Sequence, residues 1–243
     1  MLGYIEFAAS GTKARLVRET RCGASFLVLD MGKGALGAFS ALRAARAAER
    51  MYAQGVRRAV FPVDFPHTAI FLRRGIIPVD PLPLRRALSA RFVKNQLALA
   101  GMANRDALVA VSGEQMNGEI EKTVLELTQS YRYVMLSVRS GGEEFADRMR
   151  RQYGVSLLLA PSVDRLECAD ALVLFSPRED ISCKNRILCA LYPGGEERGR
   201  VPLVLDDAIS SAVAANCSHE QLAAALYGLG HMPAERFLGE IAC

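Results

Sequence analysis

The sequence predicts an α/β protein of two α/β domains, the second a Rossmann-like parallel sheet with helices on both faces. Three observations point there. Residues 107–176 alternate short apolar runs with amphipathic segments, the order that yields parallel strands joined by helical crossovers. Two glycine-bearing turns, at 32–37 and 112–118, each follow an apolar run and open an amphipathic one. Charge also divides the 243-residue chain. Residues 1–104 carry 16 Lys/Arg against 6 Asp/Glu, and residues 105–243 carry 14 against 20, within a net charge of +4. A basic half beside an acidic half fits domains at 1–100 and 101–200, with a tail, 201–243, expected to pack back on the first.

In the first half, residues 2–8 and 13–18 flank the turn signal Ser10-Gly11 and predict a hairpin. Residues 25–30, SFLVLD, read as a buried strand. A helix is expected over 35–54, with Leu36, Phe39, Leu42, Ala45 and Met51 on its apolar stripe and Gly55 as its stop. Residues 56–63 form the next strand. Prolines at 62, 66, 78, 81 and 83 then cut the chain into short pieces before a helix near 84–100 that ends at Gly101.

The second half predicts strand 107–112, helix 117–130 with Ile120, Val124 and Leu127 buried, strand 133–138, helix 142–152, strand 155–159 and strand 171–175. The tail predicts a strand at 201–205 and helices near 207–216 and 218–228.

Composition narrows the function. With 51% hydrophobic and 23% charged residues the chain buries a sizeable core. No apolar run reaches the roughly 18 residues of a membrane span, and Glu6 interrupts any leader-like start, so a soluble cytoplasmic protein is expected. Cysteines at 22, 168, 183, 189, 217 and 243 form no close CxxC pair, and the histidines at 67, 219 and 231 are scattered, so no metal site is expected. The absence of Trp, and arginine pairs at 57–58, 73–74 and 85–86 with no interleaved aromatics, argue against a nucleic-acid partner. A small-molecule substrate or anionic ligand is expected instead.

Two turns compete for that ligand. Gly32-Lys33-Gly34-Ala35-Leu36-Gly37 spells GxGxxG literally. Lys33 there, with Asp64 and His67 after the next strand, makes a candidate acid/base cluster at the strands' C-terminal ends. The second turn, Ser112 to Gly118, has one glycine fewer, but its strand–helix–strand continuation has the right lengths. Arg139 arrives 21 residues after Gly118, at the end of the second strand. An acid there binds a free ribose 2′-hydroxyl, whereas Arg suits a 2′-phosphate, so NADP is the expected cofactor. Ser112, Gly113 and Gly118 are expected at the pyrophosphate, and Arg139 and Ser140 at the 2′-phosphate. Gly118 is also expected to let the helix pack close to the sheet.

Residues 107–176 resemble the NADP-binding domain of the shikimate dehydrogenase and glutamyl-tRNA reductase group. Val138-Arg139-Ser140 lies where those families carry Asn-Arg-Ser/Thr. Ala169-Asp170-Ala171-Leu172-Val173-Leu174-Phe175-Ser176-Pro177 is similar to their Ala-Asp-hydrophobic strand leading to a small residue and Pro. The resemblance implies an NADP-linked oxidoreductase with Ser176 near the nicotinamide. The other reading of the same residues is a non-enzymatic Rossmann-like scaffold or small-ligand sensor, expected to form a homodimer.

Overall fold

A computed structural model describes residues 1–7, 14–32, 40–102, 105–195, 209, 213 and 216–237. The Ser10-Gly11 turn, Lys33 with most of the 32–37 turn, the expected strand at 201–205 and most of the expected helix at 207–216 lie outside the described residues. The chain divides into two compact units, Met1–Leu84 with Leu203–Glu240, and Arg85–Pro202 with Ile241–Cys243.

The first unit is a five-stranded sheet in the order β2-β3-β1-β4-β5. Strand β1 (Leu2–Glu6) pairs in parallel with β3 (Ala24–Asp30) on one side and β4 (Arg58–Val60) on the other. Strand β5 (Ile77–Pro78) extends the β4 side, and β2 (Arg15–Arg21) closes the opposite edge antiparallel to β3. The hairpin expected between 2–8 and 13–18 does not form. Instead β2 turns into β3 through Cys22 and Gly23, both at positive φ (50° and 81°), the pattern of a two-residue hairpin whose twist matches its strands. The reason lies in side-chain character. Tyr4 and Ile5 point to opposite faces and are both buried, so β1 belongs mid-sheet between parallel neighbours, whereas the charged β2 suits an edge. Arg21 folds back there onto Glu6 with a two-point contact (2.6 and 2.8 Å) and lies over the Tyr4 ring.

Helix α1 (Ser40–Ala53) buries Ala44, Ala47, Ala48 and Met51, while Leu42, expected on the apolar stripe, is exposed. The small alanines bring the helix close to the sheet. A Cβ on Gly3 would fall 2.6 Å from Met51 Cε, 2.9 Å from Val56 Cγ1 and 3.0 Å from Ala59 Cβ. The proline-punctuated stretch supplies the short helices α2 (Thr68–Arg73) and α3 (Leu82–Ala87). Phe61, Phe65 and Phe71 stack edge-on and tilted at 5.5 to 5.7 Å on the α1 side of the core.

The second unit carries helix α4 (Ser89–Leu99), then β6 (Leu108–Gln115), α5 (Gly118–Thr128), β7 (Tyr133–Ser140), α6 (Gly142–Tyr153), β8 (Leu158–Leu159), α7 (Val163–Glu167), β9 (Ala171–Leu174) and β10 (Ile187–Ala190). Its strand order is β10-β9-β6-β7-β8 with every pair parallel. Counted by first appearance this is 5-4-1-2-3, the arrangement of the first five strands in doubly wound dinucleotide-binding sheets. Helix α7, through Leu166, joins the core built on Ala110, Met135, Leu172 and Leu174. Residues of opposite parity, Val109, Val111 and Val173, are also buried, as a parallel sheet covered on both sides requires. Buried Asn185 ties this side together, its amide donating to the carbonyls of Leu166 (2.7 Å) and Ala169 (2.9 Å).

Strands β6 and β7 run two to three residues further than their apolar runs suggest. Ser112 pairs with Ser137, Gly113 with Val138 and Gln115 with Ser140. The helix near 84–100 is instead two, broken at Leu88 between α3 and α4. Helix α8 (His219–Gly228), capped by Ser218, belongs to the first unit, where Gln221 Oε1 accepts from Phe61 N at 2.8 Å.

Gly3→Ala should cost about 1–3 kcal/mol of unfolding free energy, the usual range for overpacking a filled core. Urea denaturation checks this. An unchanged midpoint would mean that α1 can lift off the sheet at no cost.

Candidate functional site

In open α/β sheets ligands bind beyond the strands' carboxyl ends, where the strand order reverses. In the second unit this is the edge where β6, β7 and β9 end.

The start of α5 was expected to cradle a pyrophosphate. Because β6 continues to Gln115, Ser112 and Gly113 sit inside the ladder rather than in a turn, and the link to the helix is only Met116-Asn117. Gly113 has a packing role, since a Cβ there would fall 2.6 Å from Ile120 Cδ1. Gly118 meets nothing within 4 Å, so the close approach expected of it belongs to Gly113. Asn117 caps the helix, its side chain accepting from Ile120 N at 3.0 Å. Glu119 and Glu121 occupy the first turn and pair with Arg86 (3.1 Å) and Arg148 (2.6 Å). A capped helix start with two acids in its first turn does not fit a pyrophosphate.

The end of β7 is different. Arg139 is 83% exposed, its nearest ion-pair partner Glu114 at 3.9 Å. It borders a cleft of about 440 Å³ lined by Val138, Ser140, Gly142, Glu143 and Leu159. Gly141 caps α6 in the left-handed conformation (φ 78°), and a Cβ on Gly142 would lie 2.7 Å from Val138 Cγ2, so both glycines are needed to start α6 hard against the strand. An exposed guanidinium can meet a phosphate group, but Glu143 and Glu144, both in the first turn of α6, line the same cleft, so the helix start itself adds no anion cradle here.

Between these places stands Arg178, which the sequence reading passed over. It follows β9, two residues after the half-buried Ser176. Its Nη1 donates to Ser112 Oγ and Ser137 Oγ, both at 3.1 Å, and its Nε and Nη2 donate to the two carboxylate oxygens of Asp180 at 2.7 and 2.6 Å. The guanidinium thus reaches from the end of β9 across β6 to β7. Ser112 is fully buried, and its hydroxyl would be costly there without this donor. Arg178, by hydrogen bonding, and Arg139, by its field, hold the Asp180 carboxyl down at about 2. Asp180 therefore stabilises the fold fully above pH 4, and its contribution is lost as pH falls through about 2. The signal for this site was an Arg immediately after the fourth strand's Ser-Pro, at the switch point itself.

In the first unit, Asp64 is exposed and adopts a left-handed φ of 56°, which Asp tolerates better than most residues. His67 precedes α2 and packs edge-on against Phe65 at 5.7 Å. Lys33 lies outside the described residues. The first glycine of that turn, Gly32, has positive φ, and its N–H donates to Asp30 Oδ1 at 2.8 Å. Deeper in this unit, burial pushes the Cys217 thiol up to about 11. Among the described residues no three His, Cys, Asp or Glu side chains are grouped to hold a metal ion, and no helix is long and apolar enough to cross a membrane.

No protein-family model and no curated protein matches the sequence. Similar solved structures include L-tryptophan dehydrogenase from Nostoc punctiforme (11% identity, 63% of this chain and 44% of that one, TM-score 0.31). They also include the Δ1-pyrroline-2-carboxylate reductase of Thermococcus litoralis in complex with NADH and L-proline (14% identity, 40% and 30%, TM-score 0.28). Ornithine carbamoyltransferase from Pyrococcus furiosus is a third (15% identity, 71% and 58%, TM-score 0.28). The chain spans less than two thirds of each. Overlaps this loose indicate neither a ligand nor a reaction.

Asn117→Ala should destabilise the protein by about 1 kcal/mol, and Asn117→Gly by only a few tenths, as expected of a cap. Chemical denaturation of the two variants checks this. Equal losses would show that Asn117 does something other than cap α5.

Proposed function

We propose that the second unit binds NADP(H) and that the protein is an NAD(P)-linked oxidoreductase acting on a small-molecule substrate. One observation supports the reading above others. A five-stranded parallel sheet in dinucleotide-binding order ends at the cleft where Arg139 stands exposed beside Ser140. In this reading Arg139 and Ser140 meet the 2′-phosphate, and Ser176 lies toward the reactive ring. Lys33, Asp64 and His67 are the proposed acid/base groups. A layout like that of shikimate dehydrogenase is part of the same proposal.

A second reading is a non-enzymatic Rossmann-like scaffold or small-ligand sensor. The start of α5 favours it, since Asn117, Glu119 and Glu121 fill the place of a pyrophosphate cradle. In that reading the exposed Leu158 and Leu159 on edge strand β8 offer a pairing surface to a second copy of the chain.

Titration of the full chain with NADPH and NADH separates the two. Arg139→Ala should weaken NADPH roughly 10- to 100-fold, the worth of charge-assisted bonds to one phosphate, and leave NADH within about two-fold. Equal loss for both nucleotides would remove the 2′-phosphate assignment. No binding of either by the unmutated protein would favour the sensor.

A further inference from the structure

The switch point, where β6, β7 and β9 end, carries a feature that the dinucleotide reading does not use. Arg178 is held from behind by two serine hydroxyls on adjacent parallel strands, Ser112 and Ser137, which are register partners. Their bonds consume Nη1 and fix the plane of the guanidinium. The opposite edge, Nε and Nη2, points outward to Asp180. The two residues of that pair differ in burial. The Arg178 side chain is 22% exposed and anchored to the sheet, whereas Asp180 is 51% exposed and reaches it from two residues along the same loop. The pair is bidentate, but Asp180 approaches the fork from the solvent side, where an anion of matching geometry would meet the same two N–H groups. The guanidinium fork matches any planar or tetrahedral oxyanion that offers two oxygens.

We propose that Arg178 is the receptor of an oxyanion-binding site at the carboxyl ends of β6, β7 and β9, and that Asp180 is an internal occupant which an incoming carboxylate or phosphate displaces. Ser112 and Ser137 orient the fork before the ligand arrives, so little ordering remains to be done on binding. Arg139, whose field already reaches Asp180, adds a second positive charge at the mouth. The ligand class is a small molecule bearing an exposed phosphate or carboxylate group. The site rests on the carboxyl edge of the parallel sheet and does not require the ligand to be a dinucleotide.

Isothermal titration of the full chain with inorganic phosphate and with malonate tests the proposal and tells the two sources of the anion apart. Asp180→Asn removes the competing charge and keeps the side chain's size. It should tighten binding of at least one anion about five- to ten-fold, because the internal carboxylate no longer competes for the fork. Arg178→Gln should abolish that binding. Ser137→Ala, which removes the half-buried tether and leaves the buried Ser112 paired, should weaken it several-fold while the protein stays folded. If Asp180→Asn lowers the urea midpoint and neither anion binds it, the pair is a loop staple and the proposal is overturned. Affinity unchanged by Ser137→Ala and Arg178→Gln overturns it as well. Anion binding that responds to Asp180→Asn, in a protein that ignores NADPH, upholds the oxyanion site and removes the dinucleotide reading. NADPH binding untouched by all three substitutions, with no binding of either anion, leaves the dinucleotide reading and removes this one.

Discussion

Parallel pairing is the constraint from which the second unit follows. Parallel strands cannot be joined by a tight turn, so each connection must climb back over a face of the sheet. Those crossovers cover both faces, which is why Val109, Val111 and Val173 are as buried as Ala110, Leu172 and Leu174. They also return every strand in the same direction, so the carboxyl ends of β6, β7 and β9 meet at one edge. Every group discussed as a ligand contact in this unit, from Ser112 to Arg178, stands at that edge for this topological reason and not through any local motif.

Helical periodicity was the most legible feature. The buried stripe of α5, with Ile120, Val124 and Leu127, is visible at once in the sequence, because a surface helix must bury one face. The existence of most strands was legible too, while strand extent and partner were not. Apolarity stops at Ser112, but β6 goes on, since a buried serine can stay in a strand when an arginine 66 residues away donates to its hydroxyl. Strand β10 went unassigned although Ile187-Leu188-Cys189-Ala190-Leu191 is a continuous apolar run, short enough to read as loop packing. The β2–β3 hairpin was hidden because Cys-Gly is an unusual pair for a turn that needs two positive φ values. In α1, size and not hydrophobicity set the buried face. Three alanines and Met51 face the core, Met51 filling the space a Cβ on Gly3 would need, while the larger Leu42 faces outward.

The glycines show why a motif can be read correctly and placed wrongly. A glycine after a strand signals either a turn that needs positive φ or a close approach that forbids a Cβ. Gly113 is the second kind, and Ile120 fills the space a side chain would take. Gly141 is the first kind and Gly142 the second, one strand further on, at the cleft beside Arg139. The glycine-rich helix entry of this unit thus stands at the end of β7, whereas the sequence placed it at the end of β6.

An anion at the edge of such a sheet can be met by backbone N–H groups at a helix start or by a guanidinium, and the two make different demands on sequence. The backbone cradle needs free N–H groups and a first turn without acids. Asn117, Glu119 and Glu121 deny both to α5. A guanidinium needs only an anchor that fixes its plane, and two serines in register on neighbouring strands provide one at 3.1 Å each. The acids around α5 are then no obstacle, because Glu119 and Glu121 answer to Arg86 and Arg148 while Asp180 faces Arg178. Positive charge at this edge is therefore concentrated on side chains that follow β7 and β9. Recognition built in that way reads the shape of an oxyanion more than the length of a dinucleotide.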